Sequence, residues 1–155
     1  TFGGEVKLLD FGVAKDNRHD RETTTRGMKG KVPYMSPEQC LSRPIDRRSD
    51  IFSLGVILYE LTVGARLFRG NSDYELMQQI VTGDVVAPRT LDPRYPEELE
   101  RVVMKALSKP VDKRWQSAQE MQRDLELFAR HAAQLAATPE APLQTYAVDG
   151  SRQRA

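Results

Sequence analysis

The chain has 155 residues, 39% of them hydrophobic and 29% charged, which fits a single globular domain with a hydrophobic core. Its 23 basic and 22 acidic residues nearly cancel, so neither nucleic acid nor an anionic membrane is indicated as the main partner. The single cysteine, Cys40, excludes an intrachain disulfide and fits a reducing compartment, and the sequence has no signal peptide and no apolar run of transmembrane length.

The first 30 residues are predicted to form a β-hairpin followed by a polar loop. Gly3-Gly4 lies between two short apolar segments and is typical of a two-residue hairpin turn. The first arm of this hairpin would have only two residues, so we expect the chain to be a fragment of a larger protein. Residues 16–30 lack apolar periodicity, and a polar loop of this length in a compact domain is usually functional or disordered.

Five helices are predicted in the remainder of the chain. They follow from capping patterns, in which a Ser is followed three residues later by Gln or Glu, and from apolar residues at helical spacing. The predicted helices are a short one opened by Ser36 that gives way near Arg43, one at Ser49–Val63, one from Ser72 to about Thr82, one from Pro96 to about Lys109, and one from Ser117 to about Ala136. Residues 88–96 are predicted to be loop, and residues 137–155 a flexible tail or linker.

The last two predicted helices carry a single apolar face each. On the first of them, the apolar positions are Leu99, Val102, Val103, Ala106 and Leu107. On the second, they recur at spacings of four and three as Met121, Leu125, Phe128, Ala132 and Leu135. We expect both faces to pack on the core.

The helix at Ser49–Val63 is predicted to be the centre of the fold. Its apolar residues cover every side of the helix: Ile51, Phe52, Leu54, Val56, Ile57, Leu58, Tyr59, Leu61 and Val63. Such a helix is expected to be buried all round, and this one is too short and too charged to cross a bilayer. Asp50, near its start, is then predicted to be a buried carboxylate that needs hydrogen-bond donors.

Four local patterns point to chemistry. A strand that ends in Asp10-Phe11-Gly12 can present a carboxylate to a divalent cation, although alone it is more often a plain turn. The threonines at 23–25 lie among arginines, where a phosphate would order the loop, although alone they suggest a plain exposed loop. The third pattern is Gly30–Glu38, and the fourth is the pair Asp50 and Arg114.

In this order and at this spacing, these residues resemble the C-terminal lobe of a eukaryotic-like, bacterial-type serine/threonine protein kinase, from Val6 to about Phe128. Residues 6–12 look like the strand and metal-binding Asp-Phe-Gly motif, and Ser-Pro-Glu at 36–38 looks like the Ala-Pro-Glu that closes the activation segment. Residues 49–55 are similar to the start of the family's central helix, and Lys-Arg-Trp at 113–115 resembles its final motif. Tyrosine kinases usually have Trp in place of Tyr34.

This resemblance implies a mainly α fold. The chain would be a protein-kinase-like C-lobe with a short N-terminal β-hairpin, a polar activation loop and five helices around a buried central helix. Residues 1–136 would then be a partial kinase domain that lacks the N-lobe and the catalytic loop.

The resemblance also implies roles for the N-terminal motifs. Asp10 would hold the Mg²⁺ that bridges the phosphates of ATP, Phe11 would pack against the small lobe, and Gly12 would allow the motif to switch conformation. Thr23 and Thr25 would be the autophosphorylation sites of the activation loop, and autophosphorylation between copies would involve a kinase dimer.

Further roles are implied for the segments that follow. The wall that receives the substrate residue after the acceptor would be formed by Gly30, Lys31, Val32, Pro33 and Tyr34. Glu38 and Arg114 would form a partly buried ion pair that ties this wall to the last helices. Asp50 would bond the backbone of the catalytic loop or, without that loop, lack its usual partner or take Arg47 or Arg48 instead.

The motifs that perform most of the chemistry are expected upstream of Thr1. The sequence after His19 is Asp-Arg rather than Arg-Asp, and His131 has no expected partner. We therefore expect no catalytic residue within the chain and no kinase activity from the 155 residues alone. Lys31 stands where the family usually has a Thr that helps to select the acceptor, so it would act as a cation near the acceptor or contact an acidic substrate.

Three classes of function are compatible with these motifs. The first is a protein serine/threonine kinase that uses ATP and Mg²⁺ on protein substrates in signalling, in the cytoplasm or as the cytoplasmic part of a membrane-anchored protein. The second is a pseudokinase scaffold, against which the intact Asp-Phe-Gly argues. The third is a small-molecule kinase of the same fold, against which the activation segment closing in Ser-Pro-Glu argues.

Overall fold

The structure is a computed structural model that describes residues 32–137. The predicted hairpin, the polar loop and residues 138–155 lie outside this range. The described part consists of helices and turns, with no strand among residues 32–137. Its elements are a 3₁₀ turn at Val32–Tyr34, α1 at Pro37–Cys40, α2 at Arg47–Val63, α3 at Asp73–Thr82, α4 at Pro88–Leu91, α5 at Glu97–Ala106, a second 3₁₀ turn at Val111–Lys113, and α6 at Ala118–Ala137.

The predicted starts of α1, α3 and α6 are confirmed. At α1, Ser36 Oγ accepts from the N–H of Gln39, and Gln39 Oε1 accepts from the N–H of Ser36, which completes a capping box. At α3, Ser72 Oγ accepts from the N–H of Glu75, but the Glu75 carboxylate accepts from the N–H of Asn71 rather than of Ser72. The start of α6 repeats this variation. Short-range capping chemistry therefore places these three helices.

Two predicted elements begin at a different residue in the structure, and α5 ends at Ala106 rather than at about Lys109. The central helix begins at Arg47 rather than Ser49, because Asp46 is its cap and accepts from the N–H of Arg48 at 2.8 Å. It ends as predicted at Gly64, whose left-handed backbone has a φ of 74°. The predicted loop from Pro88 is also wrong at its start, since Pro88–Leu91 forms a helical turn with proline at its first position.

Helices α2, α5 and α6 enclose the core. Helix α2 packs on α5, and α5 packs on α6. At Gly55, helices α2 and α5 approach so closely that an added Cβ would lie 2.9 Å from the Cβ of Ala106. The buried cluster consists of Ile51, Val102, Ala106, Trp115 and Met121, with Leu58 and Leu125 packed against it. The absence of a side chain at position 55 thus sets the distance between the central helix and α5.

The prediction that the central helix is buried on every side is wrong for one face. Phe52 and Val56 are buried, but Leu54, Ile57 and Leu61 are 44%, 41% and 77% exposed. These three leucine and isoleucine positions recur at helical spacing, so they form one stripe. Burial requires a neighbouring element on each side, and residues 32–137 leave this stripe partly uncovered.

The amphipathic faces of α5 and α6 differ in their burial. All five predicted apolar residues of the α5 segment are buried: Leu99, Val102, Val103, Ala106 and Leu107. On α6, Met121 is buried and Phe128 is half-buried, whereas Ala132 and Leu135 are exposed. The reason is length, since α6 has 20 residues and α5 has 10, so the far end of α6 extends beyond its partner.

None of the helices within residues 32–137 is long and apolar enough to cross a membrane.

Candidate functional site

A buried ion pair joins two distant parts of the described chain. Arg114 Nη1 donates to Glu38 Oε1 at 2.7 Å, and Nη2 donates to Oε2 at 2.8 Å. Only 1% of Arg114 and 6% of Glu38 are exposed to solvent. This parallel, two-bond geometry is the strongest arrangement of a guanidinium and a carboxylate. The pairing implied by the sequence resemblance is present, and it is fully rather than partly buried.

Every donor of the Arg114 guanidinium has a partner. Besides the two bonds to the carboxylate, Nε donates to Ser108 O at 2.7 Å, Nη1 to Arg48 O at 3.0 Å and Nη2 to Lys109 O at 3.1 Å. The guanidinium also lies 4.9 Å from the centre of the Phe52 ring. A buried charge is tolerated only when it is paired and hydrogen-bonded in this way.

The charge of Glu38 is stabilised despite its burial. Burial by itself would raise the pKa of this carboxyl, but the hydrogen bonds from Arg114 and from Ser49 outweigh it and lower the pKa from 4.5 to about 2. Ser49 Oγ lies 2.6 Å from Glu38 Oε1. The carboxylate therefore remains ionised throughout the physiological pH range.

Local structure fixes both ends of the pair. Glu38 lies in the first turn of α1, which is set by the Ser36 capping box. Arg114 follows the 3₁₀ turn at Val111–Lys113 and is the residue at which that turn ends. Because Ser49 and Arg48 belong to α2, the pair holds α1, the start of α2 and the segment before α6 together.

The predicted substrate wall is described from Val32 onward. The 3₁₀ turn at Val32–Tyr34 packs on α2 and α3, with Val32 fully buried and Pro33 and Tyr34 half-buried. Ser53 Oγ donates to Tyr34 O at 2.6 Å, and Met35 N donates to Val32 O at 3.0 Å. These bonds hold the backbone of the turn against the central helix while Pro33 and Tyr34 keep part of their surface free.

A second polar cluster lies at the side chain of Tyr34, and sequence reasoning did not find it. Tyr34 Oη donates to Glu60 Oε2 at 3.2 Å, and Arg66 Nη1 donates to Tyr34 Oη at 2.9 Å. The Arg66 guanidinium also lies 5.8 Å from the centre of the Tyr34 ring. The sequence signal was Glu60 itself, a carboxylate in the mostly apolar second half of α2, because such a group needs hydrogen-bond donors.

The prediction for Asp50 is wrong in one respect. The residue is exposed rather than buried, because it lies on the uncovered side of α2. Within residues 32–137 it makes no hydrogen bond or ion pair. Arg47 Nε donates to Gln116 O instead, and Arg48 pairs with Asp46 at 2.6 Å, so neither arginine serves as its replacement donor.

The prediction that His131 has no partner is also wrong. Its Nδ1 lies 3.1 Å from Glu98 Oε1 and 3.2 Å from Oε2. Both side chains are about half exposed, so this contact on the outer face of α5 and α6 is worth little energy. The histidine joins the two helices at the surface.

The remaining candidate residues lie outside residues 32–137. They are Asp10, Phe11, Gly12, Thr23, Thr25, Gly30 and Lys31. Metal binding, ATP binding and phosphorylation therefore stay predictions from sequence. Among the described residues, no group of three or more His, Cys, Asp or Glu side chains could hold a metal ion.

Comparisons with known sequences match this chain to protein kinases. Residues 2–125 match the family model described as the protein kinase domain. A protein of Myxococcus xanthus named tyrosine-protein kinase MasK is 41% identical over 128 residues, which cover 83% of this chain and 20% of that protein. A protein of Streptomyces coelicolor named probable serine/threonine-protein kinase is 39% identical over 128 residues, which cover 81% of this chain and 19% of that protein. The chain thus spans about a fifth of the length of these curated relatives.

A comparison with solved structures supports the fold. The twitchin kinase region from C. elegans aligns with a TM-score of 0.54 over 63% of this chain and 17% of the other chain. Sequence identity is 22%, so this match is evidence for the fold alone.

Proposed function

Because this chain belongs to the protein kinase family, we propose that it forms the C-terminal lobe of a protein serine/threonine kinase. The enzyme would use ATP and Mg²⁺ to phosphorylate hydroxyl groups of protein substrates in signalling. The observation that carries the proposal is the Glu38–Arg114 pair, buried and bidentate directly after the predicted substrate wall. An ion pair of this kind rigidifies the segment that would position a polypeptide substrate.

The reaction would be a phosphoryl transfer. The acceptor hydroxyl oxygen forms a bond to the γ-phosphorus, the bond to the bridging oxygen of ADP breaks, and the hydroxyl proton passes to a base. We expect that base outside these 155 residues, because the sequence contains no His-Arg-Asp. Asp10 is the residue proposed to hold Mg²⁺, with Phe11 and Gly12 completing its motif, and the ion would offset the negative charge of the phosphates.

The proposed substrate wall has two parts. Gly30 and Lys31 are assigned to it from sequence, and Val32–Tyr34 are supported by the anchored 3₁₀ turn. Fixing the backbone through Ser53 lowers the conformational entropy that binding would otherwise cost. The Glu38–Arg114 pair then acts as a positioning element, since neither side chain is exposed enough to touch a substrate.

Regulation and organisation follow from the same proposal. Thr23 and Thr25 are the proposed autophosphorylation sites, modified by a second copy in a transient dimer. We further propose that residues 1–136 belong to the kinase domain and residues 137–155 to a linker. A cytoplasmic location, alone or as the cytoplasmic part of a membrane-anchored kinase, fits the single cysteine and the need for ATP.

Tyrosine is a second candidate acceptor. The Myxococcus relative is named a tyrosine kinase at 41% identity, and Lys31 stands where serine/threonine kinases usually have Thr. A serine/threonine acceptor is favoured because Tyr34 occupies the position at which tyrosine kinases usually have Trp.

The proposal is tested by phosphotransfer with the purified full-length protein, Mg·ATP and a mixed protein substrate, followed by phosphoamino-acid analysis. Phosphoserine and phosphothreonine should form, and Asp10→Asn should reduce the rate by at least about a hundredfold, whereas the exposed control Asp84→Asn should not. Phosphotyrosine as the product would favour the second candidate. Absence of any transfer would contradict both and leave a scaffold role. The 155-residue chain assayed alone should show no turnover.

A further inference from the structure

The cluster of Tyr34, Glu60 and Arg66 has a buried anion and an exposed cation. The Glu60 side chain is 14% exposed, whereas that of Arg66 is 58% exposed. Both Glu60 oxygens are occupied from within, since Oε2 accepts from Tyr34 Oη and Oε1 accepts from the N–H of Leu67. A molecule that approaches this surface therefore meets the guanidinium rather than the carboxylate.

Backbone geometry holds Arg66 in this place. Gly64 ends α2 in the left-handed conformation, which turns the chain back toward the helix. Leu67 N then donates a hydrogen bond to Glu60 Oε1 at 3.1 Å, which holds the loop after Gly64 against α2. Because the Arg66 stem is pre-positioned beside Tyr34, a ligand that binds its head group would lose less entropy than with a free side chain.

The guanidinium retains unused donors. Arg66 Nη1 donates to Tyr34 Oη, and its 3.7 Å distance to Glu60 Oε2 is too long for a hydrogen bond. Within residues 32–137, Nε and Nη2 of Arg66 make no hydrogen bond. Two adjacent N–H groups on one edge of a guanidinium match the two oxygens of a carboxylate.

We propose that Arg66 is a specificity-determining residue that selects protein substrates with an acidic side chain close to the acceptor hydroxyl. This inference rests on the proposed kinase function and on the assignment of Tyr34 to the substrate wall. A purely structural role gives a different expectation. If Arg66 only offsets the Glu60 carboxylate near the C-terminus of α2, where negative charge is unfavourable, its loss lowers stability without changing substrate preference.

The test uses the full-length kinase and a series of acceptor peptides. Each peptide carries a single Glu at one of the positions on either side of the acceptor, and a matched peptide carries Gln there. The wild-type enzyme should show a kcat/KM about three- to fivefold higher for Glu than for Gln at one position or at two neighbouring ones, as an exposed charge pair provides. This ratio should fall as salt is added.

Three variants separate the alternatives. Arg66→Gln should bring the Glu/Gln ratio to one or below, because the Glu60 charge then lacks its counterion, and Arg66→Lys should keep most of the preference. Arg69→Gln, an exposed arginine on the same loop, should leave the ratio as in wild type. A ratio that survives Arg66→Gln, or a wild-type enzyme indifferent to Glu, overturns the inference while the kinase function stands. Failure to phosphorylate any peptide overturns both.

Discussion

Replacing Arg114 with Met should strongly destabilise the fold, because it leaves the Glu38 carboxylate buried without its counterion. Breaking one partner of a buried ion pair costs about 3–5 kcal/mol. The pKa of Glu38, lowered from 4.5 to about 2, points in the same direction, because it shows that the folded protein favours the ionised carboxylate despite its burial. Three backbone carbonyls that accept from Arg114 also lose a donor, which favours the upper end of the range.

The measurement is the free energy of unfolding from urea denaturation of the purified protein at pH 7. Arg101→Met is the matched control, because Arg101 also pairs with a carboxylate on another element, Asp124, but at 3.6 Å and with the arginine side chain 67% exposed. An exposed pair of this kind contributes less than about 1 kcal/mol. Equal losses in the two variants would refute the argument that burial and saturated bonding distinguish Arg114.

Acidification provides a second measurement of the same pair. The pKa of Glu38 is lower in the folded than in the unfolded protein, so its contribution to stability is complete above about pH 4.5 and is lost as the pH falls toward 2. Wild type should therefore lose roughly 3 kcal/mol more than Glu38→Gln between pH 5 and pH 2. Parallel pH profiles for the two proteins would contradict the assigned pKa.

Two further predictions follow from single positions. Gly55→Ala should lower the free energy of unfolding by about 1–3 kcal/mol, because the new Cβ would lie 2.9 Å from Ala106 and 3.2 Å from Leu107. If urea denaturation shows an unchanged free energy of unfolding, α2 and α5 separate easily to make room for the methyl group. Burial raises the pKa of the Cys40 thiol from 9.0 to about 11, with the nearby Glu38 charge adding to the effect, so alkylation at pH 8 should be at least tenfold slower than for free cysteine. A rate equal to that of free cysteine would contradict this shielding.

The helix starts could be predicted from the sequence because capping acts over three or four residues. A Ser at the cap and Gln or Glu three positions later satisfy the first free N–H groups, whatever lies elsewhere in the chain. The predicted start at Ser49 is wrong by two residues, because the cap is Asp46, which is not followed three residues later by Glu or Gln. The apolar face of α5 is likewise confirmed at every predicted position, because α2 and α6 both pack against this helix and cover that face.

The candidate site was only partly predictable. Glu38 and Arg114 are 76 residues apart, and no local rule pairs them; the resemblance to kinases did so through the order of the motifs. The resemblance did not predict the cluster of Tyr34, Glu60 and Arg66. This cluster depends on how the loop after Gly64 folds back onto the substrate wall. A hydrogen bond between residues 32 positions apart is a property of packing.

In the central helix, the sequence determines helix formation, whereas the tertiary structure determines which side chains are buried. Residue types alone fixed that Ser49–Val63 is helical, stops at Gly64 and carries apolar side chains all round. Whether a given side chain is buried depends on the neighbouring element, which is why Phe52 is covered while Leu61 and Asp50 face outward. Hydrophobicity supplies the free energy for burial, but only a packed neighbour removes the surface from water.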